Sequence, residues 1–142
     1  MNTSKIPREW IAAAEQARRK VMAEPRLEDV AVAVAAHESG YGKSMQSAHN
    51  NPFNIRAVGP QLRIPDTGWR AFRSLSEAFG SFFYLVLRSG LYEDARRVWI
   101  TSGGDWQQWL EAFGRIYCPD TEEHPNQAAE WAAGVWAILN EE

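Results

Sequence analysis

A single cysteine, Cys118, is all the chain contains, so no disulfide can close within it and cysteine usage does not report on the redox compartment. Long apolar runs are missing too: a membrane-spanning helix needs roughly 20 such residues, and the run at positions 30–36 falls far short. The first nine residues have neither an apolar segment nor a small-residue cleavage pattern, which gives the expectation of a protein made in the cytoplasm without a signal peptide. There is no basic tract, and the net charge of −3 removes any global attraction to nucleic acid. Glycine-rich phosphate loops and a Gly-x-Ser-x-Gly elbow are absent, and the spacing of His37, His49 and His124 fits no zinc pattern. The expectation is therefore a chain with no metal, no cofactor, no nucleic-acid partner and no membrane segment, acting as a monomer.

What is present suits one domain. A length of 142 residues buries a real core and leaves little room for a second unit, so residues 1–142 are read as a single domain. Seven Trp, six Phe and four Tyr are generous for this length, and they suit either a tightly packed helical core or an aromatic-lined groove. Helical periodicity runs over about residues 7–23, with Trp10, Ala14, Ala17 and Val21 on one stripe and cations in the last turn. A second helix spans about 27–38 and ends at Gly40. Ser74-Leu-Ser-Glu77 is a capping-box pattern opening a third, with Leu75, Phe79, Phe82, Phe83 and Val86 as its apolar face. A shorter helix covers about 92–100. Asp105 caps another carrying Trp106, Trp109, Leu110, Phe113 and Ile116, and the last covers about 125–139. Between residues 41 and 69 the periodicity vanishes. Two short β-like pieces, 53–58 and 68–72, are expected to pair as a small hairpin with Asp66 in or near its turn. The fold class is mostly α with a small β element after the second helix.

The second helix is apolar nearly all round, which belongs at the centre of a protein. Leu27, Ala31, Val34 and Glu38 lie on one stripe, so a carboxylate continues the apolar face at the helix end. A carboxyl held against apolar surface has its neutral form favoured, the property of a general acid near neutral pH. The plainer alternative is a helix-terminal acid paired with an arginine or exposed, although the negative end of a helix is an unfavourable place for it. In His49-Asn50-Asn51-Pro52-Phe53-Asn54, amides that donate and accept sit beside an aromatic ring. Such a loop reads sugar hydroxyl and N-acetyl groups, or its asparagines form Asx-type turns that shape the loop. Tyr41, Trp69 and Tyr117 are open in the same way, as core lids or as ligand platforms.

Together, Glu38-Ser-Gly-Tyr-Gly-Lys-Ser44 and Asn50-Asn-Pro-Phe-Asn-Ile-Arg56 resemble the signature of the glucosaminidase domains of glycoside hydrolase family 73, found in bacterial autolysins, flagellar peptidoglycan hydrolases and phage lysins. The family pattern is roughly A-x-E-S-G-W-G-x-S followed by N-N-L-F-G-I-K. Here Tyr41 stands for its Trp, Pro52 for Leu, Asn54 for Gly and Arg56 for Lys. Phe72-Arg-Ser74 with Leu75 and Glu77 resembles the step into the next helix in shortened form, and Tyr117 with Asp120 resembles the Y-A-T-D loop. The resemblance spans nearly the whole chain in order. It implies a lysozyme-like fold, a helical lobe and a small β-hairpin lobe with a glycan groove between them. It also implies cleavage of the β-1,4 bond of a peptidoglycan strand, as an endo-β-N-acetylglucosaminidase. By the same resemblance Glu38 is the general acid and Tyr117 a tyrosine that helps hold the reacting sugar or the carboxylate. Asn51 and Phe53 line the groove, and Tyr41, Asn50, Asn54 and Trp69 complete the substrate-binding set.

Two-carboxylate hydrolysis needs a partner about 5–5.5 Å away for a covalent route, or about 6.5–9.5 Å away with a water between. The resembling family usually places that partner in the hairpin lobe; here residues 57–69 hold no Glu and only one acid, Asp66, which by that resemblance is the candidate base or else a turn residue. Glu77 is set aside because capping accounts for it. Without a second acid, the substrate's N-acetyl group assists, or an anhydro sugar forms as in lytic transglycosylases. Further alternatives are a muramidase with the same Glu38 as acid/base, and a non-catalytic glycan-binding or virion structural module. With no export signal expected, a phage lysin released through a holin or carried on a virion is the expected setting.

Overall fold

The computed structural model describes residues 1–142 and places the largely apolar second helix at their centre. There are six α-helices: α1 (Arg8–Val21), α2 (Arg26–Ser39), α3 (Leu75–Leu87), α4 (Glu93–Thr101), α5 (Trp106–Tyr117) and α6 (Gln127–Leu139). Short 3-10 turns add Gln46–His49 and Gly90–Tyr92. Every residue of α2 from Val30 to Ala36 is buried, so that stretch has no solvent face, as its apolar circumference predicts. It packs on α1, α3 and α6; α1 also packs on α3, and α5 packs on α4 and α6. The Arg18 guanidinium on α1 meets the Glu28 carboxylate in the first turn of α2, where the dipole favours an acid. No helix is long and apolar enough to cross a membrane.

Helix boundaries follow local chemistry. Pro7 caps α1 rather than opening it, and left-handed Met22 (φ 54°) ends it with a backbone N–H returned to Arg18 and Arg19. Ser74 Oγ accepts from the Glu77 amide at 3.1 Å, as the capping box requires. The Glu77 carboxylate does not complete that box; it lies 3.6 Å from the Arg70 guanidinium. Asp105 accepts from the amides of Gln107 and Gln108 at the start of α5. The start of α6 is capped from a distance, by Asp120 accepting from Ala128 N at 2.8 Å.

Three apolar residues of the helices are not inside. Val21 is 43% exposed and Ile116 47%, each at the edge of its helix's buried stripe, and Trp136 is only half-buried. Most of the aromatic excess is core. Phe53 stacks on Phe82 at 4.8 Å and meets Phe79 edge-on at 4.9 Å. Phe113 stacks on Tyr92, Trp109 and Tyr117. Such pairs add to the stability that area burial confers.

The β lobe is sparser than a hairpin and ordered differently. Ala57 N donates to Gly68 O (2.9 Å) and Arg70 N to Ile55 O (3.0 Å), with Arg56 paired opposite Trp69. On its other edge the same central segment receives Ile64 N on Trp69 O and gives Ala71 N to Leu62 O, both at 2.9 Å. Residues 68–71 thus lie between residues 55–57 and 62–64, joined only by isolated bridges. Pro60 and Pro65 have no N–H to give, which keeps the pairing short. The turn at 64–67 carries Pro65 and left-handed Asp66 (φ 61°) at its centre, the type II pattern.

The contact between α5 and α6 depends on Gly114, where a Cβ would sit 2.8 Å from Trp131 Cε3 and 3.2 Å from the Ala128 carbonyl. Replacing Gly114 by Ala is expected to destabilise the fold by about 1–3 kcal/mol. Thermal denaturation checks this; an unchanged melting temperature would show that the interface has slack.

Candidate active site

Glu38 lies in the last turn of α2, one residue before a stop built from its own neighbours. Ser39 is buried, its hydroxyl donating to Ala35 O at 2.7 Å and accepting from Gly42 N at 2.8 Å. Gly40 takes the left-handed conformation (φ 57°), and the amides of Gly40 and Tyr41 both return to Ala36 O. The chain therefore turns sharply past Glu38, whose side chain is half-buried.

Two side chains hold that carboxylate. The Trp131 indole N–H, on α6, donates to Oε1 at 3.2 Å, and Asn54 Nδ2 donates to Oε2 at 3.2 Å. Asn54 Nδ2 also reaches the Glu38 backbone carbonyl at 3.1 Å. Turning this amide round would set its oxygen against two acceptors, so its orientation is dictated; Oδ1 is left buried without a partner. Burial raises the Glu38 pKa, and the hydrogen bonds from Trp131 and Asn54 oppose that rise without cancelling it. No arginine or lysine pairs with Glu38, so the plainer reading of a salt-bridged acid does not hold here.

A groove of about 660 Å³ opens beside Glu38 between the helical and β lobes. Asn54, Arg56 and Trp69 form its β-lobe wall; Leu85, Leu91, Ile116 and Tyr117 line the helical side. Leu91 is 70% exposed, an apolar surface offered to whatever fills the groove. Tyr117 donates its hydroxyl to the Phe53 carbonyl, tying the end of α5 to the loop. Burial and then the nearby Glu38 charge push its pKa well up, so it acts as a neutral phenol. Cys118 borders the groove with its sulfur accepting from Gln127 Nε2 at 3.2 Å. Glu38 is the one carboxylate in the groove lining.

The residues expected to form the site separate into two groups. Glu38, Asn54, Trp69 and Tyr117 come together. Asn51 and Phe53 do not line the groove: both are fully buried. Asn51 spends its amide on the backbone, donating to Ile55 O and Arg70 O at 2.8 Å each and accepting from Ile55 N at 3.1 Å. Phe53 is part of the aromatic core. Asn50, left-handed at φ 59°, donates to Phe72 O and faces another surface pocket, as does Tyr41. Asp66 is an exposed turn residue outside the groove lining. Trp131 was not anticipated from sequence. The available signal was that a buried Trp needs an acceptor for its N–H, and α6 places Trp131 on its inward stripe.

No family model matches the chain, and no curated protein matches it in sequence. Solved structures do. A peptidoglycan hydrolase from Sphingomonas sp. A1 is 24% identical, covering 92% of this chain and 83% of that one, with a TM-score of 0.59. A mutant of a peptidoglycan hydrolase from the same organism is 22% identical over 99% and 94% of the two chains, TM-score 0.63. A C-terminally truncated glycoside hydrolase domain of Salmonella typhimurium FlgJ is 17% identical over 94% and 95%, TM-score 0.57. At these identities the likeness is one of fold: the mostly helical, lysozyme-like architecture expected from the motifs.

Two predictions follow from this geometry. Because the folded Glu38 pKa is raised, the native state binds more protons than the unfolded one between the ordinary value of 4.5 and the folded value, and stability contributed here falls as pH rises through that window. The melting temperature of Glu38→Gln relative to wild type should therefore improve as pH rises above about 4.5, and a difference flat with pH would contradict the raised pKa. Asn51→Ala should cost about 1–3 kcal/mol of unfolding free energy in denaturant titrations, since it leaves Ile55 N and Arg70 O without their partner while Ile55 O keeps its bond from Arg70 N.

Proposed function

We propose that this chain is a glycoside hydrolase cleaving the β-1,4-linked glycan strand of peptidoglycan, with Glu38 as general acid. The observation carrying the reading is a lone half-buried carboxyl of raised pKa, held by two neutral donors at the wall of an open groove. A protonated carboxyl so placed gives its proton to the glycosidic oxygen, the C–O bond breaks toward the leaving sugar, and positive charge develops at the anomeric carbon. Shared architecture with peptidoglycan hydrolases and a glycoside hydrolase domain supports the substrate class. The motif resemblance supports the endo-β-N-acetylglucosaminidase bond specificity, and a lysin, released or virion-carried, is the setting we propose.

For the second half of the reaction we favour a route that needs no second carboxylate, because Glu38 has no carboxylate beside it in the groove and Glu77, in the adjoining pocket, faces Arg70 at 3.6 Å. The substrate's N-acetyl oxygen captures the anomeric carbon, and water then opens that intermediate, returning a proton to Glu38. The same observation favours one other reading, lytic transglycosylation, in which the sugar's own hydroxyl attacks and gives an anhydro end. Mass analysis of digested peptidoglycan separates them, since the anhydro product is lighter by one water.

Glu38→Gln should slow turbidity loss of purified peptidoglycan by about a hundred- to ten-thousand-fold; equal rates would leave a non-catalytic glycan-binding module. Trp131→Phe and Asn54→Gly each remove a donor that favours the ionised acid. Both should move the alkaline limb of the pH–rate profile upward, because Glu38 then keeps its proton to higher pH. An unmoved limb would remove Glu38 from the proton-transfer step.

A further inference from the structure

Between Asn50 and Arg73 the chain carries four arginines, Arg56, Arg63, Arg70 and Arg73, against the single acid Asp66, within a chain whose net charge is −3. The β lobe is thus locally positive. Three of these cations lie elsewhere or are occupied. Arg63 donates to the carbonyls of Ala57 and Gly59, and Arg70 bonds Ser81, faces Glu77 and covers the Phe72 ring. Arg73 is exposed outside the groove lining.

Arg56 differs. It lines the groove that holds Glu38, with its guanidinium over the Trp69 ring, 4.5 Å from the centroid. The pairing of residues 56 and 69 across the β lobe sets this stack, and Gly68 leaves space for it, since a Cβ there would sit 3.3 Å from Nη1. No carboxylate pairs with Arg56, and no protein acceptor takes its N–H groups. A guanidinium seated on an indole, with its donors unspent and facing a groove, is pre-organised for a planar anion.

Building on the proposed peptidoglycan reading, we infer that Arg56 on Trp69 is a carboxylate reader, selecting glycan strands whose peptide stems bear free carboxylates over neutral strands of the same length. Trp69 positions the fork and covers one face; the carboxylate takes the open edge. The overall acidic charge of the chain does not oppose this, because physiological salt largely screens exposed charges more than about 8 Å away and leaves the nearby charges in control.

The test uses calorimetry on Glu38→Gln with one ligand in two forms: a peptidoglycan tetrasaccharide with free stem carboxylates, and the same molecule with those carboxylates amidated. The free acid should bind about tenfold more tightly, with the preference shrinking at high salt. Arg56→Gln should bring the ratio of the two affinities close to one, and Arg56→Lys should restore part of it. Arg97→Gln, on the distant α4 surface, should keep it. Equal affinity for the two forms, binding of neither, or an equal loss of preference in Arg97→Gln would overturn the inference. Failure of the hydrolase reading shows separately: wild type would release no product from the free-acid ligand although binding still discriminates.

Discussion

A carboxylate at the negative end of a buried apolar helix is the constraint on which the rest depends. Three effects act on Glu38: the helix dipole and burial disfavour its charge, and hydrogen bonds favour it. The protein answers with neutral donors from two distant segments, Trp131 on α6 and Asn54 on the loop. Neutral donors hold the carboxyl in place without the strong pKa depression that an arginine would bring, so the group stays a usable acid. The Gly114 gap that lets α6 approach α5, and the Ser39–Gly40 stop that ends α2, both serve that placement.

The loop from His49 to Arg56 has two duties, divided by residue. Asn51 and Phe53 face inward, one satisfying backbone groups and the other filling the aromatic core. Asn54 and Arg56 face the groove. Asn54 adopts φ 55°, a conformation asparagine tolerates better than most residues, and from there its amide spans the lobes. The left-handed backbone at Asn54 thus carries a side chain that reaches the acid and adds a control on its proton.

The β lobe is held by few backbone bonds, and its side chains do much of the joining: Arg63 to carbonyls, Arg70 to Glu77 and Ser81, Arg56 over Trp69. The same arginines give the lobe its charge. Structure and electrostatics of the groove wall therefore share one set of residues, and a change to that set alters both.

The sequence by itself determined the six helices, the central position of α2, the stops and caps at Gly40, Ser74 and Asp105, and the identity of Glu38 as the residue to explain. Each follows from periodicity or short-range chemistry, in which a residue and its partner lie within a few positions of each other. Motif resemblance added the architecture. Tertiary structure alone decided which motif residues touch the groove. Phe53 and Asn54 are adjacent in the chain and point to opposite environments, and Trp131 reaches Glu38 from the far end of the sequence. It also decided that Asp66 ends as a turn residue and that residues 68–71 pair on both edges. Those outcomes depend on packing between segments far apart in the chain, which no local pattern encodes.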